Sequence, residues 1–256
     1  MIATAIRTRK VTAGACSITD LLDKSLSELS ERSVLVVTSK IVSLCEGRVK
    51  PLEGTDLPKL VLDEAEWYLP EGSVQHGYTF TIAHNMVTPN SGIDESNAKG
   101  VYVLWPEDPQ ASANRIRSYL VDRFKLKEVA VIIVDSTFLP LRWGSVGLSL
   151  AYSGIEPLRR YVGQEDLFGR ILRVSRSNVV DSLAATATLL MGEGAEQTPL
   201  TVIQDVPNIT FVPRDPTSEE IASRHTPPHE DMFGDILTAV HWERGGKGGS
   251  ADVEKT

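Results

Sequence analysis

Cysteine is nearly absent. Only Cys16 and Cys45 occur among 256 residues, too few for a disulfide framework and without the spacing of a zinc site; that suits a reducing cytoplasm. No window approaches the roughly 20 apolar residues of a membrane span. The opening Met1-Ile-Ala-Thr-Ala-Ile-Arg7 lacks the long apolar core of a signal peptide, so the expectation is a soluble, cytoplasmic protein. Positive charge is not in excess: 26 Lys and Arg stand against 34 Asp and Glu, a formal net charge of −8. A general nucleic-acid or anionic-membrane binder needs a basic face, so neither partner is expected. A small anionic substrate remains open, because a local arginine cluster can outweigh the global sign. No internal repeat occurs, and the length suits one large domain or two small ones with a real core.

What the chain does have is Val129-Ala-Val-Ile-Ile-Val134, an unbroken apolar run that stops at Asp135. A run this short and apolar reads as a strand buried on both faces. Asp135 then stands at the strand's end, where a carboxylate is costly unless paired. Arg142 or a bound cation could pair with it; alternatively, Asp135 caps the following turn through its own side chain.

The rest of the chain alternates strands and helices. Strands are expected over 2–12, 33–38, 78–84, 101–105, 146–152, 171–174 and 200–203, from alternating or continuous apolar patterns. One-sided stripes predict helices from Ser17 to Leu29, Leu57 to Leu69, Asp108-Pro109 to Phe124 and Ser177 to Met191, the last being the longest and most apolar. Ile155 to Arg160 reads as a short turn or helix, and Gly163 to Arg170 as a polar loop. An amphipathic helix is expected over 229–242. The fold class is therefore α+β, with mixed, largely antiparallel sheets and packed helices.

Polar clusters fall at chain reversals. Ser39-Lys-Ile-Val-Ser-Leu-Cys-Glu-Gly-Arg48 follows a buried strand, where open sheets often bind ligands, or is simply a helical turn with solvated charges. His84 shares an expected strand face with Tyr78, Phe80 and Ile82, and reads more readily as a hydrogen-bonded core residue than as a catalyst. Asp94, Glu95, Ser96 and Asn97 crowd a turn-rich loop with the hard oxygens that Mg²⁺ or Mn²⁺ prefers. Gly192-Glu-Gly194 ends a helix, and its amides could approach a phosphate. Spacing alone does not show that Asp94, Asp135 and Glu193 converge.

Four ordered segments carry a resemblance: Asn90-Ser-Gly-Ile-Asp-Glu-Ser-Asn97, Val131-Ile-Ile-Val-Asp-Ser136, Gly163 to Arg170, and Leu190-Met-Gly-Glu-Gly194. Over about residues 33–206 the chain resembles the CofE-like gamma-glutamyl ligases, whose best-known members add glutamate to the coenzyme F-420 precursor. The resemblance implies a CofE-like fold and an amide-forming ligase that uses GTP or ATP with Mg²⁺ or Mn²⁺. By the same resemblance Asp94, Asp135 and Glu193 hold metal. Ser39, Lys40, Asn97, Ser136, Gly192 and Gly194 face the nucleotide. Asp135 and Arg142 are catalytic, and Arg170 binds substrate. It also implies an intertwined homodimer with sites near the subunit interface.

The chemistry suits these residue types. A carboxylate must be activated before an amine attacks it, and phosphorylation by a nucleotide gives an acyl phosphate that the amino group of L-glutamate displaces. Divalent ions neutralise charge as the phosphoryl group moves, arginines hold carboxylates bidentately, and positioning supplies further acceleration. F-420 ligases usually carry Asp-Thr-Asn-Gly-Arg where this chain has Asp135-Ser-Thr-Phe-Leu-Pro-Leu-Arg-Trp-Gly144, and a lysine where it has Leu44. Pro140-Leu-Arg-Trp-Gly144 with Glu196-Gln-Thr-Pro199 looks more like a bacterial branch to which folate substrates are ascribed. The preferred acceptor is therefore a folate-like pterin glutamate. The alternatives are the F-420 ligase, a non-catalytic nucleotide- or pterin-binding protein, and a metal-dependent phosphohydrolase. Residues 1–213 are expected to form the ligase domain, 214–244 a connection and amphipathic helix, and 245–256 a disordered tail.

Overall fold

The apolar run from Val129 does form a central strand, but the strand does not stop at the acid. A computed structural model describes residues 1–70 and 77–248. It opens with β1 (Ile2–Ile6) and α1 (Ile18–Ser25). Ser17 and Asp20 cap α1 reciprocally, side chain to backbone amide. β2 (Ser33–Thr38) runs straight into α2 (Ser39–Glu46), which Gly47 closes in the left-handed conformation. Next come β3 (Val49–Pro51), α3 (Leu57–Glu64), β4 (Trp67–Tyr68), β5 (Phe80–Ala83), β6 (Met86–Pro89) and β7 (Val101–Val103). Asp108 caps α4 (Pro109–Phe124), with proline in the first turn.

β8 (Val129–Phe138) and β9 (Ser145–Ser153) make a long hairpin, and β10 (Leu158–Arg160) with β11 (Arg176–Asn178) makes a shorter two-stranded arm. The chain then supplies α5 (Val179–Met191), β12 (Leu200–Gln204), α6 (Ser218–Ala222), α7 (Gly234–Leu237) and β13 (Glu243–Arg244).

The main sheet has the order β1-β12-β2-β8-β9, and only β2 and β8 run parallel. A second sheet, β13-β4-β5-β6, and the pair β3-β7 are antiparallel. The class is α+β, as the mixed patterns implied.

Strand geometry sends alternate side chains to opposite faces. Leu35, Val37, Val131 and Ile133 meet Ile116 and Leu120 of α4. Val34, Val36, Ala130, Ile132 and Val134 meet Val180, Leu183, Ala184 and Ala187 of α5. With a helix layer on each face, both sets are apolar, and the strand reads as a continuous run. Each fully buried Val, Ile or Leu side chain contributes about 1.5–3 kcal/mol.

Several elements differ from the sequence expectation. β1 ends at Ile6 rather than near residue 12. The helix from Leu57 stops at Glu64, because Trp67 and Tyr68 pair with Ile82 and Thr81 and bury the indole. His84 lies off the strand face: it and Asn85 form a tight turn with positive φ. Residues 158–160 are strand rather than turn or helix, paired with 176–178, and the strand expected over 171–174 does not form. α5, at 13 residues, is shorter than the 16-residue α4.

In place of a helix over 229–242 there are only a 3₁₀ turn at Pro228–Glu230 and the single turn of α7. Pro227 and Pro228 cannot donate to a helix ladder, and Gly234 packs against the Pro228 carbonyl where a Cβ would not fit. Gly245, Gly246 and Lys247 donate backbone hydrogen bonds to Glu66, Leu62 and Ala65, so the start of the expected tail is docked; 249–256 lie outside the described residues. Among the described residues no helix is long and apolar enough to cross a membrane.

Candidate active site

β2 ends at Thr38, opposite Val134. Beyond that point β8 is hydrogen-bonded, among the described residues, to β9 alone of the strands, so Asp135 emerges where one flanking strand has left. It is a mid-strand residue, paired with Leu148. Ser39 Oγ donates to Asp135 Oδ1 at 2.8 Å, and Trp105 Nε1 donates to Oδ2 at 2.6 Å. Burial pushes the carboxyl up to about 6, against these two hydrogen bonds and the nearby Lys40 ammonium. The Asp135 carboxylate therefore has partners other than Arg142 or a turn amide.

Lys40, in the first turn of α2, places Nζ 2.5 Å from Asp94 Oδ2 and also donates to Ser96. Ser96 N donates to Asp94 Oδ1 at 2.7 Å. Burial opposes the charge on Asp94, but Lys40 and the Ser96 amide hold its carboxyl below the usual carboxylate range. Two backbone hydrogen bonds with Val103 fix Asp94 to β7.

The third acid comes from the end of α5. Gly192 terminates that helix with φ +77°, and Glu193 follows. Ser136 Oγ donates to Glu193 Oε2 at 3.2 Å, and Asn97 Nδ2 donates to the Gly194 carbonyl at 3.0 Å. The Gly194 amide donates to Glu196.

A cavity of about 800 Å³ gathers these residues: Lys40, Asp94, Asn97, Asp135, Ser136, Gly192, Glu193 and Gly194 all line it. Ser39 lies behind its wall, buried and holding Asp135. Asp94, Asp135 and Glu193 thus border one space, each held by different neighbours. Among the described residues no three His, Cys, Asp or Glu side chains form a ready-made metal-binding group. The donors present are nonetheless all hard oxygens, as Mg²⁺ and Mn²⁺ require.

Arg142 and Arg170 are elsewhere. Arg142 sits exposed in the β8–β9 turn with its guanidinium on the Leu141 carbonyl. Arg170 is exposed within the arm's loop, its amide bonded to Asp166. Neither lines the cavity. Arg48 serves the framework, donating to the Trp105 carbonyl and pairing with Glu64 and Glu107.

Sequence reasoning missed Trp105, whose buried indole N–H must find an acceptor and whose position as the last residue of an expected strand was the available signal. It also missed the segment from Arg7 to Thr12, which borders the cavity and was read as strand. Thr8 is tied to the Glu193 loop by two hydrogen bonds with Gln197. Arg7, Arg9, Lys10, Lys40 and Lys99 offset the cavity's acids Asp94, Asp135, Glu193 and Glu196. The space is therefore far less negative than the chain as a whole.

The model of the F420-0:gamma-glutamyl ligase family matches residues 5–205. A coenzyme F420:L-glutamate ligase of Methanococcus maripaludis is 35% identical over 226 residues, covering 80% of this chain and 86% of the relative. Proteins with the same name from Methanothermobacter thermautotrophicus and Methanocaldococcus jannaschii are each 34% identical. The first match covers 74% of this chain and 81% of the relative, the second 75% and 74%.

Proposed function

The chain belongs to the F420-0:gamma-glutamyl ligase family, and from that premise we propose that it joins L-glutamate to an acceptor carboxylate, using GTP or ATP with Mg²⁺ or Mn²⁺. The observation that carries the reading is the shared cavity, where Lys40 sits against Asp94 beside Asp135 and Glu193 borders the same space. The names of the relatives favour an F420-type acceptor over the folate-like one preferred from the loop sequence. A folate-like acceptor stays as the second reading, because the exposed Pro140-Leu-Arg-Trp-Gly144 turn departs from the usual family sequence on that side.

In the proposed reaction an acceptor carboxylate oxygen attacks the γ-phosphorus and the nucleoside diphosphate leaves. The glutamate amine then attacks the acyl carbon, inorganic phosphate departs, and the amine loses a proton. Asp94, Asp135 and Glu193 are the residues that would hold divalent ions. Such ions supply neutralisation of the charge that builds on the phosphate oxygens. The Lys40 ammonium adds to that neutralisation, while Ser39 and Trp105 keep the Asp135 carboxylate from rotating. Each Asp135 oxygen retains lone-pair capacity beyond its one hydrogen bond. Asn97 and Ser136 would position the phosphates, at the seam where Asn97 meets Gly194.

A homodimer forms part of the proposal. The arm's loop exposes Leu167 and Phe168 at 96% and 95%, apolar side chains suited to burial against a second copy.

The deciding experiment incubates purified protein with GTP or ATP, Mg²⁺ or Mn²⁺, L-glutamate and either F420-0 or folate. A product one glutamate heavier supports the ligase, and the productive acceptor chooses between the two readings. Nucleotide binding without turnover supports a non-catalytic binder, and phosphate release indifferent to glutamate supports a phosphohydrolase.

A further inference from the structure

Asp94 and Asp135 belong to different parts of the fold. Asp94 is fixed to β7 of the small β3-β7 pair, and Asp135 rides on β8 of the main sheet. One side chain touches both sides of that seam. Trp105, two residues beyond the Val103 that pairs with Asp94, donates its indole N–H to Asp135 Oδ2 at 2.6 Å. Its ring lies on Gly92, two residues before Asp94, where any Cβ would overlap the indole and where φ is +72°. The His84 ring lies 5.7 Å away, centroid to centroid. Arg48 Nε holds the Trp105 carbonyl at 3.0 Å. The indole is almost fully buried, so its one polar atom is spent on a single acceptor.

We propose that Trp105 is a positioning residue: through its ring contact with Gly92 and its hydrogen bond to Asp135, it sets the placement of the Asp94 loop relative to the Asp135 carboxylate. The proposal rests on the ligase reading for its functional consequence, though not for the contact itself. Phenylalanine would preserve most of the ring contact and none of the donor. The substitution removes the link while sparing most of the packing.

Trp105→Phe separates this role from a merely structural one. Labelling with 5-fluorotryptophan gives one fluorine resonance for each of the four tryptophans, and the one missing from Trp105→Phe identifies Trp105. Asp135→Asn should shift that resonance and leave exposed Trp143 unmoved; an unmoved Trp105 resonance overturns the proposal. By calorimetry, Trp105→Phe should bind Mn²⁺ in the presence of GTP about tenfold more weakly, the scale of one hydrogen bond to a charged group. Its kcat should fall by a similar factor while KM for glutamate stays unchanged and the melting temperature moves little.

Mn²⁺ affinity and kcat equal to wild type overturn the positioning role. So does a parallel rise in the KM for glutamate with a collapsed melting temperature, which would mark general unfolding. Wild-type turnover with an unmoved resonance sinks this inference alone. A resonance that shifts in Asp135→Asn, together with a wild-type protein that makes no glutamate product, sinks the ligase reading and, with it, the functional half of this one.

Discussion

Lys40 Nζ lies 2.5 Å from Asp94 Oδ2, from a helix whose preceding residue, Ser39, donates to Asp135. Two consecutive side chains of α2 thus hold the two aspartates, one as a cation and one as a neutral donor.

Lys40→Met should therefore act in opposite directions on two measurements. Without the ammonium, phosphoryl transfer loses a charge-stabilising contact, and kcat should drop about 100-fold, the usual scale for removing one such group. Binding of Mn²⁺ alone should tighten several-fold, because Asp94 is released from its internal cation. Weaker Mn²⁺ binding in the variant would mean that Lys40 organises the cation site rather than competing for it.

The raised pKa of Asp135 predicts a pH trend in metal-free protein. A carboxyl at about 6 in the folded chain and about 3.9 when unfolded binds more protons folded than unfolded between those values. Its contribution to stability is fully present below about pH 3.9 and is lost as pH rises through 6. Because the side chain is partly accessible, the loss should be about 1–3 kcal/mol. Urea midpoints of wild type and Asp135→Asn across pH 4 to 7.5 give the difference curve; a flat one would contradict the shift.

Gly154→Ala tests packing far from the cavity. Gly154 has φ +84°, and a Cβ there would run into the Val129 carbonyl oxygen and the Arg117 side chain. The backbone strain and overlap should together cost about 2–4 kcal/mol, lowering the melting temperature by roughly 4–16 °C. At a temperature where the variant is folded, kcat should be unchanged.

Leu167→Asp with Phe168→Asp places charge on the exposed loop of the β10–β11 arm. Size-exclusion chromatography with light scattering should report a dimer for wild type and a monomer for the double variant. A wild-type monomer would remove the dimer from the proposal.

The main sheet was legible because its signal is local. Strands apolar on both faces, such as Val34–Val37 and Val129–Val134, need a helix on either side, and α4 and α5 provide them. The acids stood out by position at chain reversals, but that they would border one space came only from the family resemblance, and their company was not legible. Trp105 reaches Asp135 across 30 residues of sequence and Ser39 across 96, separations that no periodicity encodes. The extent of β8 was misjudged for a related reason: Asp135 to Phe138 lose β2 but keep β9, so polar residues enter without ending the strand. The helix expected over 229–242 failed because proline and close glycine packing outweigh an apolar stripe. Those residues leave Met232, Phe233 and Ile236 in solvent. Arg142 and Arg170 were chosen from their place in the sequence and the guanidinium's fit to a carboxylate, and neither says which way a loop points.

The division of the two aspartates between separate sheets has a mechanical corollary. A tilt of the small β3-β7 ribbon by even a few degrees would change the gap between the carboxylates directly, with the buried indole and the α2 pair Ser39 and Lys40 resisting it. Lys50 and Tyr102, which pair with each other at the middle of the ribbon, do not line the cavity. Substitutions there should still tune turnover more than they alter melting, much as tightening a distant screw trims an optical slit.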